Sequence, residues 1–187
     1  MFNSQGVSRA DGPGLSLRLI QPADARYVYG LRIDPDYNHH LSAVQGTAED
    51  QRAWIDRYKA REAQLTELYY IIERRNGTPC GTLRLYGIGH DTFEWGSWIL
   101  DHNKPRKAAL ESAVLAYHIA FDVLKRNKAR FDVRRDNAIT LEFHRRFGAV
   151  ETHADETDIF FEYPKLRFEA DCDAHWSVMH SASAPAA

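Results

Sequence analysis

The chain has 187 residues, enough for one domain with a sizeable core and short for two. Hydrophobic residues make up 44% and charged residues 27%, an ordinary globular composition. With 24 basic and 26 acidic side chains the net charge is −2, so nothing draws the whole molecule to nucleic acid or to an anionic membrane.

Residues 1–14 are polar and rich in Gly and Ser, the composition of a mobile leader, and Met1 to Gly6 lacks the basic-then-apolar pattern of a signal peptide. Leu15 to Ile20 alternates as a half-buried strand does. Pro22 and Asp24 open a helix whose apolar positions, Ala25, Val28, Tyr29 and Leu31 to Ile33, have helical spacing. The polar, aromatic stretch Asp34 to His40 stops it. Thr47 caps a second helix, with Trp54, Ile55 and Tyr58 on its inner face and a solvated run from Arg57 to Glu62. Leu68 to Ile72 is β-branched and aromatic, a buried strand. Asn76-Gly77 signals a hairpin to Cys80–Tyr86, and Phe93–Leu100 forms a third antiparallel strand.

Ala108 to Leu124 predicts a long helix, with Leu110, Val114, Tyr117 and Phe121 on its apolar stripe. Ala129 to Arg134 is a short strand. Asn137 to Arg146 is an amphipathic helix closed by Gly148, and two strand-like pieces end near Tyr163. Residues 169–187, rich in Ala, Ser and His, read as a disordered tail after one domain spanning 15–168. The fold class is therefore α/β (α+β): a mixed, mostly antiparallel sheet of about seven strands with helices on both faces. Cys80 and Cys172 lie far apart without CxxC spacing, which fits a reducing cytoplasm and no zinc site. No apolar run is long enough to cross a membrane.

Element order and several local segments resemble the GCN5-related N-acetyltransferases, the GNAT superfamily, over residues 15–166. In that family a strand leads through a Gln/Arg-x-x-Gly-x-Gly/Ala turn to a helix whose amides hold the CoA pyrophosphate. Unpaired amides and the helix dipole suit an anion. The matching segment is Asn103-Lys104-Pro105-Arg106-Lys107-Ala108-Ala109, with Lys107 and Ala109 at the glycine positions. Lys107 is the departure. Either Lys104, Arg106 and Lys107 supply side-chain charge instead, or the site is impaired and the chain is a non-catalytic relative.

The resemblance assigns further roles. Trp98, Ile99 and Leu100 would offer backbone groups to acetyl-CoA, and Asn137 would contact the CoA arm. The family's thiolate-protonating Tyr falls at His144, which as an imidazolium can act as an acid. Its plainer reading is a partly buried, hydrogen-bonded histidine. Glu94 is the candidate base, on a face shared with Gly96, Trp98 and Leu100. Its plainer reading is a pair with Arg84. The adjacent His39 and His40 do not make a metal site.

The implied reaction is acetyl transfer from acetyl-CoA to a primary amine by direct attack, without metal. Tyr37, His39, Tyr70 and Trp95 are the candidate acceptor-binding residues. The Trp54–Glu62 helix and the two aromatic strands look like relatives that acetylate amino sugars on nucleotide carriers, and ribosomal-protein N-terminal acetylases are also similar. A peptide acetylase or a non-catalytic acyl-CoA-binding module are the competing readings. The expected partner is a small amine, with no nucleic acid or membrane, and the protein is expected to be a monomer or homodimer.

Overall fold

The computed structural model describes residues 3–181. Among the described residues nine strands form one sheet: β1 (Asn3–Ser4), β2 (Arg9–Asp11), β3 (Leu15–Leu19), β4 (Leu68–Arg74), β5 (Pro79–Tyr86), β6 (Thr92–Leu100), β7 (Lys128–Arg134), β8 (Val150–Ala154) and β9 (Asp158–Pro164). Their spatial order is β1-β2-β3-β4-β5-β6-β7-β9-β8. Every neighbouring pair is antiparallel except β6 and β7, which run parallel. The class is the one expected, with two strands more than the sequence indicated.

Those two, β1 and β2, stand where residues 1–14 were expected to form a mobile leader. Ala10 is fully buried in the core. The following turn is held by Glu111, whose carboxylate accepts from the amides of Gly14 (2.7 Å) and Leu15 (2.8 Å). Polar composition therefore did not mean disorder here, because a distant buried acid supplies the partners.

The helices cover both faces. On one side, after a 3-10 turn at Pro22–Asp24, lie α1 (Ala25–Ile33) and α3 (Ala48–Ala63). Between them the expected loop contains one short helix, α2 (Pro35–Asn38). Thr47 accepts from the Asp50 amide and Asp50 returns to the Thr47 amide, a capping box that fixes the start of α3. On the other side lie α4 (Ala108–His118), which continues as a π-helical turn at Ile119–Val123, α5 (Ala138–Phe147) and α6 (Lys165–His180). Helix α6 occupies most of the expected tail. Phe168 and Met179 are buried and Trp176 packs on the core, so its apolar residues earn an ordered place despite the mixed composition. Residues 182–187 of that tail lie outside the described residues. No helix among the described residues is long and apolar enough to cross a membrane.

Strand alternation divides the core. Leu68, Tyr70 and Ile72 of β4 join the cluster beneath α4, while Tyr69 and Ile71 join the cluster beneath α1 and α3. Fully burying each such side chain contributes about 1.5–3 kcal/mol. On β6 the alternation is broken. Thr82 pairs with Ile99 but Arg84 pairs with Gly96, so β6 carries one extra residue, at Ser97, with φ of 47°. The bulge turns Trp98 and Leu100 onto the face of Trp95, against α4. Glu94 stays on the opposite face, so the single face expected for Glu94, Trp98 and Leu100 does not exist.

Candidate active site

The parallel pair sets up the site. β6 and β7 pair only from Thr92, Phe93 and Glu94 to Lys128, Ala129 and Arg130, and then diverge. Backbone groups of β6 that face β7 beyond Glu94 lose their strand partner, which makes this inner edge a place where an extended ligand can pair. A cavity of about 220 Å³ opens in the split, between Trp95 to Trp98 of β6 and Phe131 to Arg134 of β7. Tyr37, His40, Asn137, Thr140 and His144 complete it.

A second cavity of about 440 Å³ shares Tyr37, His40, Trp98, Asn137 and Thr140 with the first, so the two form one channel. It is lined by Ile99, Leu100, Lys104, Ala109 and His39. A broad apolar groove of about 870 Å³ continues between α4, α5 and α6, again past Ala109 and Phe143. The channel thus gathers Trp98, Ile99, Leu100, Lys104, Ala109 and Asn137 of the expected cosubstrate set, with Tyr37 and His39 of the acceptor set. Asn103, Arg106 and Ala108 line none of these three cavities. Asn137 caps α5 by accepting from the Thr140 amide at 3.2 Å, which leaves its NH₂ group to spare.

The turn before α4 is built on Asp101, a buried carboxylate that accepts from Tyr27 Oη (2.7 Å) and from the Asn103 amide (2.7 Å). Lys107, at the N-cap, has φ of 65°, the left-handed conformation a glycine would adopt. Its backbone does a glycine's work while its side chain turns away. Nζ donates to the carbonyls of Val178 (2.7 Å) and Ser181 (2.6 Å) at the C-terminus of α6. The Lys107 ammonium, offered by one sequence reading as phosphate-binding charge, is therefore engaged by α6. The first-turn amides of Ala109 and Leu110 have no carbonyl to reach within the helix and mark the end where an anion fits.

His144 is 3% exposed, ringed by Trp95, Trp98, Phe131, Phe143 and Phe161. Its Nδ1 has no hydrogen-bond partner among the described residues. Burial pushes its pKa down to about 3, so near pH 7 the ring is neutral. The imidazolium acid expected from the sequence is not its resting form. Glu94 is exposed and its pKa is raised, by partial burial and by Asp132. It lines neither cavity at the split, and Arg84 pairs instead with Glu67 at 2.6 Å. Asp132 does line the split, and burial raises its pKa as well, with Asp158 adding to the effect. Burial, Asp132 and Glu94 together push the Tyr86 phenol up to about 12.

Tyr70 is a correction: it is fully buried on the α4 side and donates to the Val7 carbonyl at 2.8 Å, far from the split. The strand alternation gives the α1 and α3 face to Tyr69. Trp95 is 4% exposed yet borders the split, as both core and wall. The sequence reading missed one pair altogether. His40 borders both cavities, and its Nδ1 lies 3.3 Å from Asp136 Oδ1, from the start of the α5 segment.

A family model described as an acetyltransferase (GNAT) domain matches residues 15–150, well over half the chain. The protein is a GNAT acetyltransferase. Its cosubstrate is acetyl-CoA. The structure of FdhC, a nucleotide-linked sugar GNAT, is 34% identical, with 87% of this chain and 93% of that chain covered and a TM-score of 0.81. The spermidine N-acetyltransferase of Vibrio cholerae, solved with CoA and spermine, is 15% identical, with 83% and 98% covered and a TM-score of 0.72, a likeness of fold. No curated protein matches this GNAT sequence.

Proposed function

We propose that the protein transfers acetyl from acetyl-CoA to the amino group of a sugar carried on a nucleotide, by direct attack of the amine on the thioester. The observation that carries this reading is the 34% identity to a nucleotide-linked sugar GNAT over 87% of the chain. Ser97, Asp132, Arg134 and Thr140, set among the aromatic walls of the split, agree with a hydroxylated acceptor.

In this reading the β6 edge from Trp98 to Leu100 pairs with the extended arm of the cosubstrate, while Asn137, Lys104 and Ala109 flank it. His40, steadied by Asp136, takes the proton from the attacking amine. Asp132, on the β7 side of the split, offers a carboxylate to the amine of the acceptor. His144 stays neutral and gives the departing thiolate a hydrogen bond; the thiolate takes its proton from water, and His40 gives the amine proton back to solvent. Holding amine and thioester together accounts for much of the rate without metal or a covalent enzyme intermediate. The left-handed backbone of Lys107, which stands in for a glycine, weighs against a non-catalytic module, while His144 in place of the family's Tyr stays a departure.

The test is thiol release from acetyl-CoA with UDP- and dTDP-linked amino sugars, spermidine and peptide N-termini compared side by side. Turnover of a nucleotide-linked amino sugar at a kcat/KM at least about 100-fold above the other amines supports the reading. Preference for spermidine or a peptide refutes it.

A further inference from the structure

A separate polar cavity of about 350 Å³ lies on the α1 and α3 face of the sheet, away from the cosubstrate channel. Arg32 from the last turn of α1, Arg57 from α3 and Arg84 from β5 line it, with one carboxylate, Asp50. One oxygen of that carboxylate, Oδ2, accepts from the Thr47 amide (2.8 Å) and hydroxyl (2.9 Å), so three guanidinium groups meet a single carboxylate. Arg57 pairs with no carboxylate among the described residues. The Glu67 that pairs with Arg84 is shared with Arg61 at 2.7 Å, so it neutralises neither fully.

Two buried donors converge on the same cavity. Tyr69 is 2% exposed, and its hydroxyl lies near the Arg32 and Thr82 side chains without a well-formed hydrogen bond to either. Nε of Arg32 is also buried without a partner, although its Nη2 holds the Ser42 carbonyl at 2.8 Å. Buried donors left unmade are costly, and a cationic one more so. An anion in the cavity would give the Tyr69 hydroxyl and the Arg32 guanidinium a full acceptor.

The cavity is also in line with the split. Arg84 and Tyr86 are two residues apart on β5, so both point to the same face about 7 Å apart. The Arg84 guanidinium lies 5.5 Å from the Tyr86 ring centre. Arg84 borders this cavity and Tyr86 borders the split. A molecule whose amine sits in the split would reach this cavity across the Tyr86 ring.

We propose that this arginine-lined cavity binds the diphosphate of the acceptor, between its sugar and its nucleoside. Guanidinium groups match phosphate oxygens with paired N–H donors, whereas a cationic polyamine is repelled here. The proposal rests on the nucleotide-carried acceptor, but its test separates the two.

The protein is first saturated with CoA, so that the cosubstrate channel is closed to phosphates. It is then titrated by calorimetry with UDP, dTDP and inorganic pyrophosphate. One-to-one binding is expected, weakened about tenfold or more by Arg57→Ala and measurably by Tyr69→Phe, with CoA affinity unchanged in both. No binding, or equal binding by the variants, overturns the proposal. Acetylation of a nucleotide-linked amino sugar with KM unaltered in Arg57→Ala overturns it too, while leaving the acceptor assignment intact. Arg57-dependent pyrophosphate binding without turnover of any nucleotide-linked amino sugar upholds the phosphate cavity and removes the assigned acceptor.

Discussion

Lys107 Nζ reaches the carbonyl oxygen of Ser181 at 2.6 Å, so a residue in a glycine's conformation at the head of α4 caps the tail of α6. A left-handed lysine costs about 1 kcal/mol relative to glycine, and charged capping of the last carbonyls offsets part of that. Lys107→Ala keeps the strain and loses the cap. Lys107→Gly loses both. The glycine variant is expected to be more stable than the alanine variant by about 1 kcal/mol in urea unfolding. Acetyl-CoA affinity should stay within about threefold in both, since the ammonium points to α6. A loss of affinity by a hundredfold would show that the ammonium serves the cosubstrate.

His144 makes stability depend on pH in a defined direction. Its folded pKa, about 3, lies below the ordinary value of 6.5, so the unfolded chain binds the extra proton. The contribution is complete above pH 6.5 and is lost progressively as the pH falls toward 3. Between pH 7.5 and 5 the protein should lose up to about 2 kcal/mol relative to His144→Phe, which has no proton to bind. Unfolding curves of the two proteins at both pH values measure it. Parallel pH dependence would mean the ring is solvated and titrates normally.

His40 and Asp136 are tested by activity rather than stability. His40→Gln should lower kcat/KM about 100-fold at pH 7, and Asp136→Asn by less. The loss should shrink as the pH rises and the amine loses its proton without help. A pH-independent defect would make His40 a binding residue only.

Gly81 faces the inner strand so closely that a Cβ there would collide with the carbonyl oxygen of Ile99. Gly81→Ala should therefore push β6 toward the channel. Destabilisation of about 1–3 kcal/mol is expected, together with weaker acetyl-CoA binding, because Ile99 and Leu100 line the channel. Thermal unfolding and calorimetry read the two effects, and unchanged affinity would show that the β6 backbone does not meet the cosubstrate.

Much of the scaffold was readable because its signals are local. The Thr47–Asp50 box, the Asn76-Gly77 turn, the apolar stripe of α4 and the Asn137 cap each lie within a few residues of chain. The misses share a different cause. One inserted residue at Ser97 reversed the faces of Trp98 and Leu100, and nothing in the spelling of Phe93 to Leu100 announces an αL residue there. Strands β1 and β2, at one margin of the sheet, precede a turn held by Glu111, almost a hundred positions away. His40 meets Asp136 across a similar distance. Such pairs exist only once the sheet has assembled.

Glu111 also joins two ends of the molecule mechanically. The helix whose first turn opens on the cosubstrate channel is the one that grips the amides of Gly14 and Leu15. Any tightening or tilt of that rod on loading is transmitted to an edge that borders none of the cavities described. Deuterium uptake at those two amides thus becomes a remote gauge of channel occupancy, readable without a substrate, a label or turnover.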